Sequence, residues 1–399
     1  MPIVFFTLLT IYLFWRGIHL QKNKSLLLGF FILGILISLK LTNLLLAFLI
    51  LFWYLLINIK KIRLDKQNET FMLPFKKIFF LGGFVTFLTY ILSQPSFFLN
   101  TIGLKQYLLD TLKYWFGTKT VEAFYFGQTY LATEVSRSYP LVSFFIVTPL
   151  TLLLFFLIGL VYSLKKIKDA TFLLLLLWFS IPLAKFLLPG APNYQLTRLF
   201  MEILPAFAII TSAGIFFAYT FLWKKLNKKK LFTLAFAITL VLMYSFIIFS
   251  SVKIHPYEES YFNVFIGSLG EAQRSFDVDY SANSVASGIR LVNEKAEPGA
   301  TIIMPIAGKL GAYYIREDLT FVPGKNSFGE YDKTEDLFTN YDTPFYVVYP
   351  VQENILYHLL NDYDNDTLVY YLETYEKPDY TITKDGATLF KLYYVTETP

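Results

Sequence analysis

Eight apolar runs crowd the first 252 residues of this 399-residue chain, at roughly 2–20, 26–39, 41–58, 78–94, 141–163, 170–188, 199–222 and 231–252. Most come near the ~20 residues that a membrane span requires, and inside hydrocarbon the backbone polar groups must be satisfied within the segment. The pattern therefore predicts a helical multi-pass membrane bundle of about eight spans over residues 1–252. The first run is not a signal peptide, because it is long, no small-residue cleavage site follows it, and further hydrophobic segments come after it. The second and third runs are short, with Lys40 at their junction. They read either as a hairpin of two short spans or as a deeper re-entrant pair.

Charge divides the chain in two. Residues 1–252 hold 24 Lys and Arg against 7 Asp and Glu, whereas residues 253–399 hold 11 against 23. That split marks two environments and argues against a nucleic-acid partner. Lys22 and Lys24, the 60–77 linker, and the clusters at 165–168 and 224–230 together carry 16 of the 24 basic residues. With eight alternating spans these four loops share one side, which the positive-inside rule makes the cytoplasm. Lys40, the 95–140 loop, the 189–198 loop and everything after 252 then fall on the extracytoplasmic side of a plasma or inner membrane, and the first residue starts outside.

In the 95–140 loop, Leu104, Tyr107, Leu108, Leu112 and Trp115 recur at helical spacing, predicting a helix that lies in the interface. Beyond 252 the period changes. Val285, Ile289 and Val292 mark a helix, 300–304 reads as a buried strand, 344–349 as a further strand followed by a helix at 351–361, and 380–383 and 388–394 as strands flanking the Lys384-Asp385-Gly386 turn of a hairpin. Helices alternating with strands predict a small α/β domain over 253–399, with four or five strands.

The stretch from Lys185 to Pro205 sits between two apolar runs yet carries Lys185, Arg198 and Glu202. Charges at the edge of a span are costly unless they meet a wet cavity or a partner. Two cations this close suit an anionic group such as a lipid phosphate. The alternative is residues that snorkel to the interface. With no cysteine there are no disulfides or thiolate metal sites, and His19, His255 and His358 are too scattered to suggest a metal cluster.

Two acidic motifs invite a metal reading. Asp277-Val278-Asp279 has the D-x-D form and is read as structural. Asp362, Asp364, Asp366 and Glu373 are spaced like part of an EF-hand loop, but Thr367 stands where the sharp turn demands glycine, which favours a solvated acidic turn.

The run Ser25–Asn43, S-L-L-L-G-F-F-I-L-G-I-L-I-S-L-K-L-T-N, resembles the glycine-spaced helix ending in Lys-x-Thr of polytopic GT-C-fold glycosyltransferases. The likeness is to glycosyltransferase family 39, of the protein O-mannosyltransferase and aminoarabinose-transferase kind. The 130–149 region resembles that family's loop-to-helix entry. Phe179-Ser180, Lys185, Tyr194, Arg198 and Pro205 resemble its late helix pair, and His255-Pro256-Tyr257 through Asn283-Ser284 resembles its segment after the last span.

The resemblance implies transfer of a sugar from a polyprenyl-phosphate donor to a lipid, glycan or protein acceptor on the extracytoplasmic face, with membrane lipids as surroundings. Arg198, Lys185 and Lys40 would hold the donor phosphate, for which a guanidinium can grip bidentately. Lys40 reads equally as a snorkelling or helix-capping lysine. Tyr130 and Tyr194 would line the substrate cavity. No cofactor is implied with certainty, and a divalent metal stays open.

The family's catalytic acid lies in the first extracytoplasmic loop, and this chain has no such loop. The expectation is that several N-terminal helices are missing and the base with them, which leaves the catalytic residue unknown and Glu134 as a candidate substitute. Two rivals are a non-catalytic membrane-anchored protein that binds glycan or a partner, and a transporter of a lipid-linked sugar.

Overall fold

The computed structural model describes residues 2–58, 75–94, 106, 109, 121–226, 229–324, 343–361 and 368–396. Its contacts divide the chain into two compact units. One comprises Met1–Thr118, Thr151–Leu188 and Thr197–Leu240, and the other Lys119–Leu150, Pro189–Leu196 and Val241–Pro399. A division at residue 252 follows the chain, whereas this one gathers short stretches from among the apolar runs into the second unit.

In chain order the apolar helices are α1 (Pro2–His19), α2 (Asn23–Leu39), α3 (Leu44–Asn58), α4 (Phe75–Leu92), α5 (Tyr139–Val147), α6 (Leu150–Lys165), α7 (Ala170–Ala184), α8 (Leu204–Lys225) and α9 (Lys229–Ile254). Among the described residues five helical segments are long and apolar enough to cross a membrane: Pro2–His19, Leu41–Asn58, Ala170–Leu187, Leu196–Lys225 and Lys229–Ile254. Asn23–Leu39, Ile78–Leu92 and Leu150–Lys165 are shorter apolar helices.

The run expected as one span at 141–163 is instead two helices, α5 and α6. Thr148 is extended (φ −94°, ψ 128°) because the ring of Pro149 disfavours the helical region for the residue before it. The Thr148 hydroxyl donates back to the Phe144 carbonyl at 2.5 Å and so closes the end of α5. The second and third runs form separate helices: α2 lies against α1 and α4, and α3 against α7.

Within the first unit, small residues let helix backbones approach. A Cβ on Gly159 of α6 would lie 1.9 Å from the Ile210 carbonyl oxygen of α8, and one on Gly214 would lie 1.9 Å from the Phe155 carbonyl oxygen. Such close approach supplies the dispersion contact that drives helix pairing where lipid is as apolar as the side chains. Asp169 caps α7 by accepting from the Thr171 and Phe172 amides at 2.8 and 3.2 Å. Two indoles tie neighbouring helices to the same turn, Trp53 donating to the Ala170 carbonyl at 2.8 Å and Trp15 to the Thr171 hydroxyl at 3.0 Å.

The second unit holds a hairpin of β1 (Glu122–Tyr125) and β2 (Gln128–Leu131) and a sheet of β3 (Thr301–Met304), β4 (Thr320–Pro323), β5 (Phe345–Pro350), β6 (Tyr380–Lys384) and β7 (Ala387–Val395). The sheet order is β4-β3-β5-β7-β6, with β3 parallel to β4 and β5 and the β5-β7 and β7-β6 pairs antiparallel. Helix α10 (Val285–Lys295) buries Ile289 and Val292 in the same core as Ile302, Val347 and Phe390, as its apolar spacing predicts. Two further helices follow, α11 (Glu353–Asn361) and α12 (Leu368–Tyr375). Asp385 (φ 45°) and Gly386 (φ 84°) form the two-residue turn of the β6-β7 hairpin. The expected strands at 300–304, 344–349, 380–383 and 388–394 and the helix at 351–361 match observed elements to within two residues, and β4 completes the five.

Candidate functional site

The charged stretch between α7 and α8 folds as two short 3-10 segments, Lys185–Leu187 and Leu196–Ile203. The second is interrupted at Phe200 (φ −125°, ψ 31°), which opens a kink in the middle of the turn. Glu202 is pulled inward, and its carbonyl accepts from the buried Trp178 indole at 2.9 Å.

Lys40 is the residue that reaches this turn from far away in sequence. It ends α2 in an extended conformation (φ −159°, ψ 112°), while its amide and the Asn43 side chain both donate to the Leu36 carbonyl. That geometry sends its ammonium onto the Leu199 carbonyl at 2.8 Å, with the Glu202 carboxylate 3.7 Å away. Glu202 is 9% exposed, and its Oε2 accepts no hydrogen bond, so Lys40 is what compensates its burial. Lys185 is half-buried, its ammonium 4.8 Å above the ring of Phe186, and that ring packs on Phe200 at 5.7 Å. Arg198 is exposed on the turn itself.

Three of the expected residues thus belong to one neighbourhood. Lys40 contacts the peptide next to Arg198, and the residue after Lys185 contacts the kink two residues on. Lys40, Lys185 and Arg198 thus stand with the Glu202 carboxylate at or beside one turn. Glu202 is the member that sequence reasoning left unassigned. Its place four residues after Arg198 is a visible signal, but its partnership with Lys40 is not.

The other expected residues lie in the second unit. Tyr130 and Tyr194 pack against the same core cluster, which includes Tyr139, Phe276 and Leu389. The loop bearing Tyr194 is tied to the hairpin, the Asn193 amide donating to the Ala132 carbonyl at 2.8 Å. The Leu196 amide donates to the Tyr139 hydroxyl at 2.9 Å, and Gln195 and Leu196 both carry positive φ (52° and 49°), a strained pair just ahead of the charged turn. Glu134 is exposed just past β2.

A separate group of acids is buried in the second unit. Asp277, 3% exposed, accepts from the Phe124 amide at 3.1 Å and the Asn354 amide at 3.2 Å. Glu353, 7% exposed, accepts from the Val278 amide at 2.9 Å and the Gln273 side chain at 2.8 Å. Each carboxyl therefore takes the amide of the residue following the other, a reciprocal clasp between α11 and the 276–279 segment. Burial pushes Asp277 up to about 7, and burial with the neighbouring Asp277 charge pushes Glu353 up to about 8. Asp279 is pushed up to about 6, again chiefly by burial, and accepts from the Asn283 and Ser284 amides and the Ser284 hydroxyl ahead of α10. The oxygens of both D-x-D acids are thus engaged by backbone and hydroxyl donors.

The predicted interfacial helix at 104–115 lies outside the described residues except for 106 and 109, and the acidic turn at 362–367 lies outside them altogether. Of the EF-hand-like set only Glu373 is described. It accepts from Lys391 at 2.5 Å and from the Tyr349 hydroxyl at 2.6 Å. No group of three or more His, Asp or Glu side chains able to hold a metal occurs among the described residues.

Long apolar helices, a mixed five-stranded sheet and a cation-bearing turn define the class: a helical protein suited to a membrane and carrying a compact α/β unit. Compared with known proteins, the chain matches no family model and shows no significant match to a curated protein.

Proposed function

We propose that the chain is a membrane glycosyltransferase, or the C-terminal portion of one, that takes a sugar from a polyprenyl-phosphate donor on the extracytoplasmic face and hands it to a lipid, glycan or protein acceptor. The observation that carries this reading is Lys40, whose ammonium stands 2.8 Å from the carbonyl next to Arg198. In this reading Arg198, Lys185 and Lys40 hold the donor phosphate. An acceptor hydroxyl attacks the anomeric carbon, the bond from that carbon to the phosphate oxygen breaks, and the cations stabilise the departing charge. The acceptor proton passes to a carboxylate base.

The test is transfer of radiolabelled sugar from a polyprenyl-phosphate donor in membranes, with donor affinity measured alongside. Arg198→Ala should weaken donor binding about 10- to 100-fold, the scale of a lost charge-assisted bidentate contact. Unchanged donor affinity would remove the basis of the proposal.

A further inference from the structure

The last turns of α9 and the loop after it frame a pocket of about 220 Å³. Phe246, Phe249 and Val264 line it with carbon, and Ser250, Lys253 and Asp385 supply its polar groups. The loop is built to face outward. Asn263, 1% exposed, donates from Nδ2 to the Phe145 carbonyl at 2.6 Å and the Thr148 carbonyl at 2.9 Å, and from its amide to the Ile146 carbonyl at 2.8 Å. It thereby satisfies the carbonyls left open at the end of α5. Its Oδ1 accepts the Phe265 amide at 3.0 Å, which fixes the next two residues.

Those residues, Val264 and Phe265, are each 57% exposed, and Phe265 stacks at 5.0 Å on the exposed Phe145. A water-facing surface gains nothing from a buried asparagine that holds two large apolar side chains outward. Alongside, an 18-residue stretch of α9 has a mean hydropathy of 2.4, and the helix has no buried residue before Ile254. Phe246 lies eight residues before Ile254, about 12 Å along the helix axis at ~1.5 Å per residue. Because Val264 and Phe246 line one pocket, the loop tip stands beside the apolar part of this helix. At the pocket's other end Lys253 pairs with Asp385 at 2.5 Å, and its side chain is 54% exposed. An ammonium has three donors, so a second anionic oxygen has a place there.

We propose that this pocket seats one membrane phospholipid, its acyl chain among Phe246, Phe249 and Val264 and its phosphate against Lys253, with the Val264–Phe265 tip sunk into the same leaflet. The occupant is a bilayer lipid because the pocket is lined along one side by a helix whose apolar surface needs hydrocarbon. The head-group contact comes from a cation in the last turn of that helix, where lysines reach the interface. This is independent of sugar transfer.

The chain has no cysteine, so a bimane on Val264→Cys is a unique label. The full chain is placed in nanodiscs of phosphatidylcholine and phosphatidylglycerol with brominated acyl chains, and Tyr313→Cys, at a position 83% exposed, serves as the reference. Bromolipid should quench the label at 264 several-fold more than that at 313, and aqueous iodide should do the reverse. Equal responses overturn the proposal. Occupancy is read by native mass spectrometry from the same discs. One phospholipid should stay with the parent protein and with Ser245→Trp, and leave with Ser250→Trp, which fills the pocket. Lys253→Ala keeps the pocket open and should lower retention of phosphatidylglycerol at least threefold. Retention by Ser250→Trp equal to the parent's, or no effect of Lys253→Ala, also overturns it.

Discussion

Raising the pH from 5 to 8 should loosen the second unit, and the clasp between Asp277 and Glu353 sets the size of the effect. The Asp277 carboxyl moves from 3.8 to about 7 on folding and the Glu353 carboxyl from 4.5 to about 8, both because burial disfavours the charged form. A carboxyl whose folded value is raised binds its proton more tightly in the native state. Its stabilising contribution is therefore present at low pH and is lost as the pH climbs from the unfolded value through the folded one. Each such proton contributes a slope of about −1.4 kcal/mol per pH unit, so the pair gives at most about −2.7 while both are protonated only in the native state. The two charges repel, so the protons leave in sequence and the slope falls toward one proton's worth above neutrality. Over three pH units the loss is roughly 3 to 6 kcal/mol.

Asp279, raised to about 6, acts in the same direction. Glu258 and Asp318 have lowered values, so their effect falls below the window. The assay is amide hydrogen exchange on β5 and β7 in the full chain, corrected for intrinsic rate. Glu353→Gln, which removes one of the two titrations, should cut the slope about in half. Protection that stays level or rises with pH, or a Glu353→Gln slope equal to the parent's, would refute the reasoning.

Other expectations follow from packing and pairing. Gly214→Leu should force α6 and α8 apart, because even its Cβ would meet the Phe155 carbonyl oxygen, and thermal stability in detergent should fall by the equivalent of about 1–3 kcal/mol. Gly83→Ala, with nothing within 4 Å of the new Cβ inside α4, should not lower the melting temperature and should raise it by the equivalent of about 0.5–1 kcal/mol. Lys391→Met should cost roughly 3 kcal/mol in denaturant unfolding, because Glu373, whose side chain is 14% exposed, would lose its cation. Adding Glu373→Gln should restore most of that by removing the stranded charge.

How much of this was legible beforehand depended on whether the signal was local. The period-two and period-3.6 patterns after residue 280 are properties of short windows; they marked α10 and placed β3, β5, α11 and the β6-β7 hairpin to within two residues. The β1-β2 hairpin was missed for a local reason of its own. Its two-residue turn puts Phe126 at φ 51° beside Gly127 at φ 79°, where Asn or Asp normally precedes glycine. The break at Thr148 was hidden by hydrophobicity, because an apolar run reads as one span whether or not a proline interrupts it. A proline flags a break only if tertiary contacts do not repair it.

The candidate site was legible one residue at a time, and its wiring was not. Lys40, Lys185 and Arg198 stood out as charges where hydrocarbon was expected, which is a statement each makes alone. That Lys40 lands on the peptide after Arg198, 159 positions away, follows from where α2 stops, and α2 stops there because Lys40 is extended and Asn43 takes the Leu36 carbonyl. The Asp277–Glu353 clasp is of the same kind, its residues some 75 positions apart. An acid in a sequence offers charge or proton, and only the fold decides which one it offers. Burial among N–H donors makes Asp277 and Glu353 proton holders. The Lys40 ammonium and the Glu202 carboxylate stand 3.7 Å apart, a pairing across 162 positions that neither residue's own neighbourhood in the sequence announces.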